Sequence, residues 1–217
     1  MPVRLLIFDL DGTLVDSRLD LAHAVNAMRS HLGMSILQNE QVYSYVGHGA
    51  AVLVRRSLGG EPTEEEFRRA LAFFMDYYGA HDLEHTTLYA GVGESLDRFQ
   101  QAGQRMAVLT NKPAAMSRHI LEGLGVARHF FRIIGGDTLP RKKPDPIGVE
   151  TLLREAGVSA ADTMLVGDSD VDVATARHAG VACCGVTYGF QPESLRNPAP
   201  DLLVDRMEQF ADWLLKN

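Results

Sequence analysis

Short runs of apolar residues recur along the chain, separated by segments in which apolar residues repeat at helical spacing. Apolar runs without polar alternation are typical of strands buried on both faces of a parallel sheet. Because helical segments connect most of these runs, the pattern predicts an α/β fold with a doubly wound, Rossmann-like parallel sheet. The predicted strands are residues 3–8, 106–109, 131–134, 163–166 and 181–186.

Residues 15–85 interrupt this alternation. Helical patterns continue there through Tyr78 with no convincing strand, and the βα alternation resumes only near Gly91. We therefore expect an all-helical cap domain over 15–85, inserted after the first strand into a core domain made of 1–14 and 86–217. The first helical repeat of the cap consists of Leu19, Ala22, Val25, Met28 and Leu32.

The amino-acid composition and net charge limit the kinds of molecule that the protein is expected to bind. Of the 217 residues, 46% are hydrophobic and 23% are charged, which is ordinary for a globular protein with a sizeable core. The formal net charge of -7 argues against a broad surface for nucleic acid or anionic membrane. An anionic substrate must therefore be held by local positive charge.

Targeting and cysteine signals point to the cytoplasm. The chain shows neither a secretory leader nor an apolar stretch that approaches the length needed to span a bilayer. Cys183 and Cys184 are adjacent within an apolar run, where a disulfide between them would be strained, so we expect buried thiols. These observations predict a soluble, cytoplasmic protein, as a monomer or homodimer.

Two carboxylates leave the first predicted strand together. Asp9 and Asp11 follow the apolar run 3–8, and Gly12 permits a tight turn after them. In open α/β sheets, ligands bind outside the carboxyl ends of the strands. Like charges this close repel each other unless a cation joins them. The pair therefore indicates a hard divalent ion, and Mg²⁺ is the usual choice where phosphate completes its coordination.

Polar donors follow two other parts of the predicted sheet. Thr110 and Asn111 end the run 106–109 and offer a hydroxyl and an amide to phosphoryl oxygens. Lys143 lies in a proline-stiffened segment, where it can hold one ammonium group over the site. Taken alone, Lys143 would also fit a solvated basic loop.

A second acidic cluster follows the run 163–166. Asp168 is nearest to the strand end and is the candidate direct metal ligand. Asp172, one helical turn further on, is expected to bind the metal through water or to orient Lys143. Acidic residues here would also cap a helix, but their position after a strand favours the metal site.

These motifs together resemble those of the haloacid dehalogenase superfamily, specifically the phosphoglycolate phosphatase type. The resemblance runs over nearly the full length and includes the helical cap. The first motif is specific, whereas the second and third would be unconvincing without it. The four ordered motifs are Asp9-Leu-Asp-Gly-Thr-Leu-Val-Asp16, Thr110-Asn111, Lys143-Pro144 and Gly167-Asp-Ser-Asp-Val-Asp172.

The resemblance implies a magnesium-dependent phosphatase that acts on a small phosphorylated metabolite. Asp9 would attack phosphorus to form an aspartyl-phosphate, and Asp11 would protonate the leaving alcohol and then activate water. Mg²⁺ would be held by Asp9, the backbone carbonyl of Asp11, and Asp168. The residues expected to stabilise the phosphoryl oxygens are Thr110, Asn111 and Lys143.

A segment of the cap resembles the part of the family that faces the substrate. It contains Gly47 and His48, followed by Arg55 and Arg56. These residues are tentative substrate contacts, and either arginine would suit a substrate carboxylate. A surface position on an amphipathic helix is the competing interpretation for both arginines.

Several functions remain open at this point. The leading substrate is 2-phosphoglycolate, with sugar phosphates, nucleotides and pyrophosphate as alternatives. A phosphomutase of the β-phosphoglucomutase type shares the nucleophile and the acid/base, although Thr110-Asn111 and Gly47-His48-Gly49 favour hydrolysis. A strict dehalogenase would be expected to lack Asp11, and a non-catalytic binding protein would not need the intact motifs.

Overall fold

The computed structural model describes residues 3–216. Within this range, six strands form a parallel sheet in the order β5-β4-β1-β6-β7-β8, and β2 and β3 form a separate antiparallel pair. In chain order the strands are β1 (Leu5–Phe8), β2 (Val15–Asp16), β3 (Thr87–Leu88), β4 (Arg105–Leu109), β5 (Arg132–Ile134), β6 (Thr163–Gly167), β7 (Ala182–Val186) and β8 (Leu202–Val204).

The α-helices divide between the sheet and the inserted segment. Helices α1 to α4 lie in the insertion, and α5 to α9 flank the sheet. Their bounds are α1 (Arg18–His31), α2 (Asn39–Tyr43), α3 (Ala50–Leu58), α4 (Glu64–His81), α5 (Val92–Gln101), α6 (Ala114–Gly123), α7 (Ile147–Ala156), α8 (Asp170–Ala179) and α9 (Met207–Lys216). In the described part of the chain, none of these helices is long and apolar enough to cross a lipid bilayer.

Helices cover both faces of the sheet. On β1, Leu6 and Phe8 pack with α5, α6 and α9, whereas Leu5 and Ile7 pack with α7 and α8. Because successive side chains point to opposite faces, a strand covered on both sides needs apolar residues at every position. This explains the unbroken apolar runs, and the predicted doubly wound fold is confirmed. Cys183 and Cys184 of β7 are buried free thiols, as expected.

The inserted helices have their own hydrophobic cluster. Val25 and Met28 of α1 pack there with Phe74 and Tyr78 of α4, so the helical repeat in the sequence marks a buried face. Helix α4 begins with a capping box, in which the Thr63 side chain accepts from the backbone of Glu66 and the Glu66 carboxylate accepts from the backbone of Thr63. An all-helical insertion agrees with the predicted cap.

The prediction of no strand within 15–85 was wrong at its first residues. Val15 pairs with Leu88, and Asp16 pairs with Thr87, so the segment that leaves the sheet and the segment that returns to it are hydrogen-bonded to each other. A strand of two residues is too short to show any periodicity. We place the junction at this strand pair, and the exact domain boundaries remain a prediction.

Candidate active site

The neighbouring strands β4, β1 and β6 end side by side at the carboxyl end of the sheet. Phe8, the last residue of β1, is in register with Val108 of β4 on one side and Val166 of β6 on the other. The polar residues that follow these strands therefore lie side by side, although more than a hundred positions separate Asp9 from both Thr110 and Asp168. This is the crevice in which open α/β sheets bind ligands.

Asp9 is buried at the centre of this crevice. Its backbone N–H donates to Val166 at 2.9 Å, which extends the β1–β6 pairing by one residue. The Nζ atom of Lys143 lies 2.9 Å from Oδ1 of Asp9. Apart from this ion pair, Oδ1 of the buried Asp9 has no hydrogen-bond partner within the described residues. Burial raises the pKa of Asp9 to about 6; Lys143 opposes this shift and the charge of Asp172 adds to it.

Asp168 is fixed from two sides. Its Oδ2 atom accepts from the backbone N–H of Phe190 at 2.8 Å, and its Oδ1 atom accepts from the Thr13 hydroxyl at 3.3 Å. Gly12 has a φ of 86°, and a Cβ atom there would lie 2.2 Å from Asp168 Oδ2. The turn after β1 thus needs glycine for its backbone angle and for the space that Asp168 takes. Burial raises the pKa of Asp168 well above its usual range, and Asp172 and Asp9 add to this shift.

The predicted second acidic cluster divides into two roles. Carboxylate oxygens of Asp9, Asp168 and Asp172 all lie within 4.8 Å of one another. Asp172, however, uses Oδ1 for Lys143 Nζ at 2.7 Å and Oδ2 for the backbone and hydroxyl of Ser169. Asp172 therefore contacts Lys143 and caps α8; its expected roles, orienting Lys143 or binding the metal through water, stay predictions. The donors to Asp168, the Phe190 N–H and the Thr13 hydroxyl, are neutral, whereas Asp172 binds the Lys143 ammonium. Asp9 and Asp168 are therefore the better candidates for direct ligands of a cation.

This arrangement suits a divalent cation. Burial and the charge of Asp172 raise the pKa values of both Asp9 and Asp168, and two such buried carboxylates are stabilised when a positive ion lies between them. Lys143 compensates part of this charge. Although burial lowers the pKa of Lys143, the neighbouring Asp172 and Asp9 outweigh it, so the ammonium form is retained.

Asp11 binds a cation that the motif analysis missed. Lys112 places Nζ 3.0 and 3.1 Å from the two carboxylate oxygens of Asp11, and Ser17 donates to Oδ1 at 2.5 Å. The same ammonium donates to the Tyr78 hydroxyl at 2.7 Å. Lys112 directly follows Thr110-Asn111 at a strand end, so its place in the sequence was a usable signal.

The structure gives Asn111 a different role from the expected phosphoryl contact. Its side-chain nitrogen donates to the backbone carbonyls of Gly47 and Lys143, each at 3.1 Å. Because both amide hydrogens are used, Asn111 connects the cap to the core instead of pointing a donor at a substrate. Thr110 is buried beside it and accepts from the backbone of Lys112 through its side-chain oxygen, which leaves its hydroxyl hydrogen for a ligand.

Core side chains hold a short segment of the cap, residues 44–48, by its main chain. Gln191 donates to the carbonyls of Ser44 and Val46 at 3.3 and 2.9 Å. Lys142 donates to the carbonyl of His48 at 2.7 Å, and Asn111 supplies the contact to Gly47. We call residues 44–48 the docked segment. It places Gly47 over Asp9, whereas the His48 side chain lies outside the cavity described below.

Arg55 and Arg56 do not reach the site. Helix α3 turns Ala50 and Leu53 toward the cavity. Both arginines lie on the exposed side of that helix. Arg55 pairs with Glu64 at 3.0 Å, and its guanidinium lies 4.0 Å from the ring centroid of Phe67. The competing interpretation as surface arginines therefore describes their observed positions.

Two neighbouring cavities share Asp9, Asp11, Val46 and Gly47. One extends toward the metal side of Asp9, and its remaining lining residues are Asp168, Ser169, Phe190 and Gln191. The other extends toward the cap and contains Lys112 and the side chain of Tyr78. Asp9 thus lies between a polar acidic compartment and a compartment bounded by the cap.

Comparison with known proteins agrees with this geometry. Residues 6–186 match the family model described as haloacid dehalogenase-like hydrolase. The chain is 42% identical to phosphoglycolate phosphatase 1 of Pseudomonas aeruginosa, over 94% of this chain and 77% of that protein. It is 40% identical to the phosphoglycolate phosphatase of Chromobacterium violaceum, over 99% and 97% of the two chains.

A solved structure extends the similarity to three dimensions. The crystal structure described as a predicted phosphoglycolate phosphatase from Haemophilus somnus 129pt superposes with a TM-score of 0.92. It is 32% identical, and the match covers 97% of both chains. The similarity therefore includes the cap as well as the sheet.

Proposed function

This chain belongs to the haloacid dehalogenase-like hydrolase family, and from that membership we propose that it is a Mg²⁺-dependent phosphatase of small phosphate monoesters, with 2-phosphoglycolate as its substrate. One observation carries the proposal. Asp9 lies buried at the strand end, held by Lys143, with Asp168 on one side and Asp11 on the other. This combination supplies a nucleophile, a cation site and an acid/base within one crevice.

The chemistry follows from these positions. Asp9 attacks phosphorus, a bond forms between its carboxylate oxygen and phosphorus, and the bond from phosphorus to the ester oxygen breaks. Asp11 gives a proton to the departing oxygen, which leaves as glycolate. Asp11 then takes a proton from water, and the water oxygen displaces Asp9 from phosphorus. Inorganic phosphate is released and both carboxyl groups return to their first state.

The cation side of the site supports this sequence. Asp9, Asp168 and the backbone carbonyl of Asp11 would hold Mg²⁺, which would neutralise charge between the anionic nucleophile and the anionic phosphoryl group. Lys143 keeps Asp9 in one orientation and adds positive charge beside the phosphoryl oxygens. The Thr110 hydroxyl is placed to donate to one of those oxygens.

A phosphomutase of the β-phosphoglucomutase type is the competing function. Its bisphosphorylated intermediate needs a second phosphate subsite on the cap side. The cavity there is bounded mainly by apolar side chains, which favours hydrolysis of a small ester. Incubation with β-glucose 1-phosphate separates the two: formation of glucose 6-phosphate without free phosphate would establish the mutase instead.

The decisive test is Asp9→Asn, measured as Mg²⁺-dependent phosphate release. Loss of the nucleophile should lower kcat by at least about a thousandfold. Asp76→Asn, an exposed position on α4, is the matched control and should retain activity. Near-full activity of Asp9→Asn would refute the proposed mechanism. Specificity constants are then compared for 2-phosphoglycolate, sugar phosphates, nucleotides and pyrophosphate. The constant for 2-phosphoglycolate should be the highest.

A further inference from the structure

The cap-side cavity contains a buried cation, and beyond the reaction-centre residues Asp9, Asp11, Thr110 and Asn111 its wall is mainly apolar. Within residues 3–216, its lining residues include one cationic side chain, Lys112. That side chain is only 5% exposed, and its Nζ atom lies within hydrogen-bond distance of Asp11 and Tyr78. The wall around it consists of Leu21, Val46, Leu53, Phe74, Pro113 and Met116.

This distribution restricts the leaving group of a substrate. An apolar wall gives no partners to the several hydroxyls of a sugar or the polar edge of a nucleobase, and leaving such groups unpaired is costly. A single anionic group is accommodated at Lys112. The cavity therefore fits a leaving group that is compact and carries one negative charge.

The position of Lys112 determines the distance between the negative charge of the leaving group and the ester oxygen. Asp11 must contact the ester oxygen to protonate it, and Lys112 contacts both oxygens of Asp11. An anion separated from the ester oxygen by one carbon atom therefore comes within reach of the Lys112 ammonium. A carboxylate there takes the place of Asp11 as an acceptor for Lys112, and the Tyr78 hydroxyl lies beside it.

We propose that Lys112 and Tyr78 form a carboxylate subsite, which selects phosphate esters of small 2-hydroxy acids. This inference rests on the proposed phosphatase function and specifies its substrate class. Lys112 comes from the core loop after β4, and Tyr78 comes from α4 of the cap, so the subsite is complete only when the cap lies against the core. Burial raises the pKa of Tyr78, which keeps its hydroxyl protonated as a donor.

Recognition of a substrate carboxylate was expected from Arg55 or Arg56, and the proposed subsite assigns this role to Lys112 and Tyr78 instead. Arg55 is engaged by Glu64 and Phe67 on the exposed side of α3, whereas Lys112 is buried in the cavity itself. Both cations are paired in the structure, but the Lys112 ammonium is shielded from water, so its attraction to a carboxylate is screened less than that of the exposed Arg55 guanidinium.

The test compares two esters that differ only in the group that Lys112 would bind. One is 2-phosphoglycolate, and the other is 2-hydroxyethyl phosphate, in which a neutral hydroxymethyl group replaces the carboxylate. Removing Lys112 also takes a partner from Asp11 and so affects the hydrolysis of both esters. The readout is therefore the ratio of their kcat/KM values, in which a shared effect cancels. The unmodified enzyme should favour 2-phosphoglycolate by about ten- to a hundredfold.

Lys112→Met should lower this ratio to near unity, and Tyr78→Phe, which keeps the ring, should lower it several-fold. Lys216→Met removes an exposed lysine at the end of α9, away from both cavities, and should keep the ratio of the unmodified enzyme. If Lys112→Met does not fold, Tyr78→Phe decides, since it removes a single oxygen. A ratio unchanged in the variant that folds would overturn the subsite.

The two proposals fail separately. If the unmodified enzyme hydrolyses both esters equally and Asp9→Asn hydrolyses neither, the phosphatase mechanism stands and the carboxylate subsite is rejected. If Asp9→Asn retains Mg²⁺-dependent hydrolysis of either ester, the mechanism itself is rejected and the subsite with it.

Discussion

Lys143 reaches Asp9 while it is bound to Asp172: its Nζ atom lies 2.9 Å from Asp9 and 2.7 Å from Asp172. The second oxygen of Asp172 accepts from Ser169 at the start of α8. A single buried carboxylate therefore joins the beginning of a helix to the cation beside the proposed nucleophile. The orientation of that cation depends on both contacts.

The first prediction concerns this connection. Asp172→Asn removes the negative charge that compensates buried Lys143, while keeping a side chain of the same shape. We expect kcat/KM to fall about 10- to 100-fold, as for other residues that orient a catalytic group. The free energy of unfolding should fall by roughly 1–3 kcal/mol, because a buried charged hydrogen bond is weakened. Steady-state kinetics and denaturant titration measure the two effects.

Asp170→Asn is the matched control, since Asp170 lies in the same first turn of α8 and is not part of the acidic cluster within 3–216. Its substitution should change kcat/KM little. Equal losses in the two variants would mean that α8 responds to any loss of charge at its beginning, and not to Asp172 in particular.

A second prediction uses the close approach of Gly12 to Asp168. Gly12→Ala requires a strained positive φ and places a methyl group 2.2 Å from a carboxylate oxygen of Asp168. Asp168 must move, so the Mg²⁺ concentration for half-maximal activity should rise about 10- to 100-fold. Gly33 has a φ of 69°, and no atom lies within 4 Å of a Cβ added there. Gly33→Ala is therefore the control, with backbone strain but no clash. An unchanged Mg²⁺ requirement in Gly12→Ala would contradict the assignment of Asp168.

A third prediction concerns pH. The pKa of Asp9 is raised to about 6, and that of Asp168 is raised well above its usual range, so the metal-free folded protein binds protons there more tightly than the unfolded chain. The stability that Asp9 contributes is therefore present at low pH and is lost as the pH rises through about 6, and the contribution of Asp168 changes in the same direction. Mg²⁺ competes with the same protons and binds best above that pH.

The measurement is the rise in Tm caused by Mg²⁺, which should be larger at about pH 7.5 than at about pH 5. Asp168→Asn should abolish most of this rise at the higher pH. A rise in Tm that is the same at both pH values would show that Mg²⁺ binds groups other than these carboxylates.

A fourth prediction tests the docked segment. Replacing both Gln191 and Lys142 with Ala removes the donors to three of its carbonyls. Amide hydrogen exchange in residues 44–49 should accelerate, since the segment separates from the core more often. Gln101→Ala, at an exposed position at the end of α5, should leave exchange in this segment unchanged. Unaltered exchange in the double variant would mean that packing alone holds the segment.

The sequence allowed the sheet and its acidic edge to be predicted because both depend on local patterns. Apolar runs mark the buried strands, and Asp9 and Asp168 follow those runs directly. The helical insertion was equally visible from its period. These features need only the residues within one element and the rule that parallel strands present their carboxyl ends together.

The remaining features depend on contacts between distant elements. Neither the use of both Asn111 amide hydrogens by Gly47 and Lys143 nor the pairing of Lys112 with Tyr78 is encoded in spacing along the chain. The outward position of Arg55 likewise follows from how α3 packs. Strand β8 escaped notice because it has three residues, of which Leu203 is exposed.

The hydrogen bonds from Gln191, Asn111 and Lys142 reach the docked segment at its main-chain carbonyls, which every residue type supplies. Val46 lines both cavities, so a mutation there changes the surface above the phosphoester without deleting an acceptor for Gln191, Asn111 or Lys142. Substitutions in this segment can therefore change which leaving group fits the cavity, while the hydrogen bonds that hold the cap against the core stay in place.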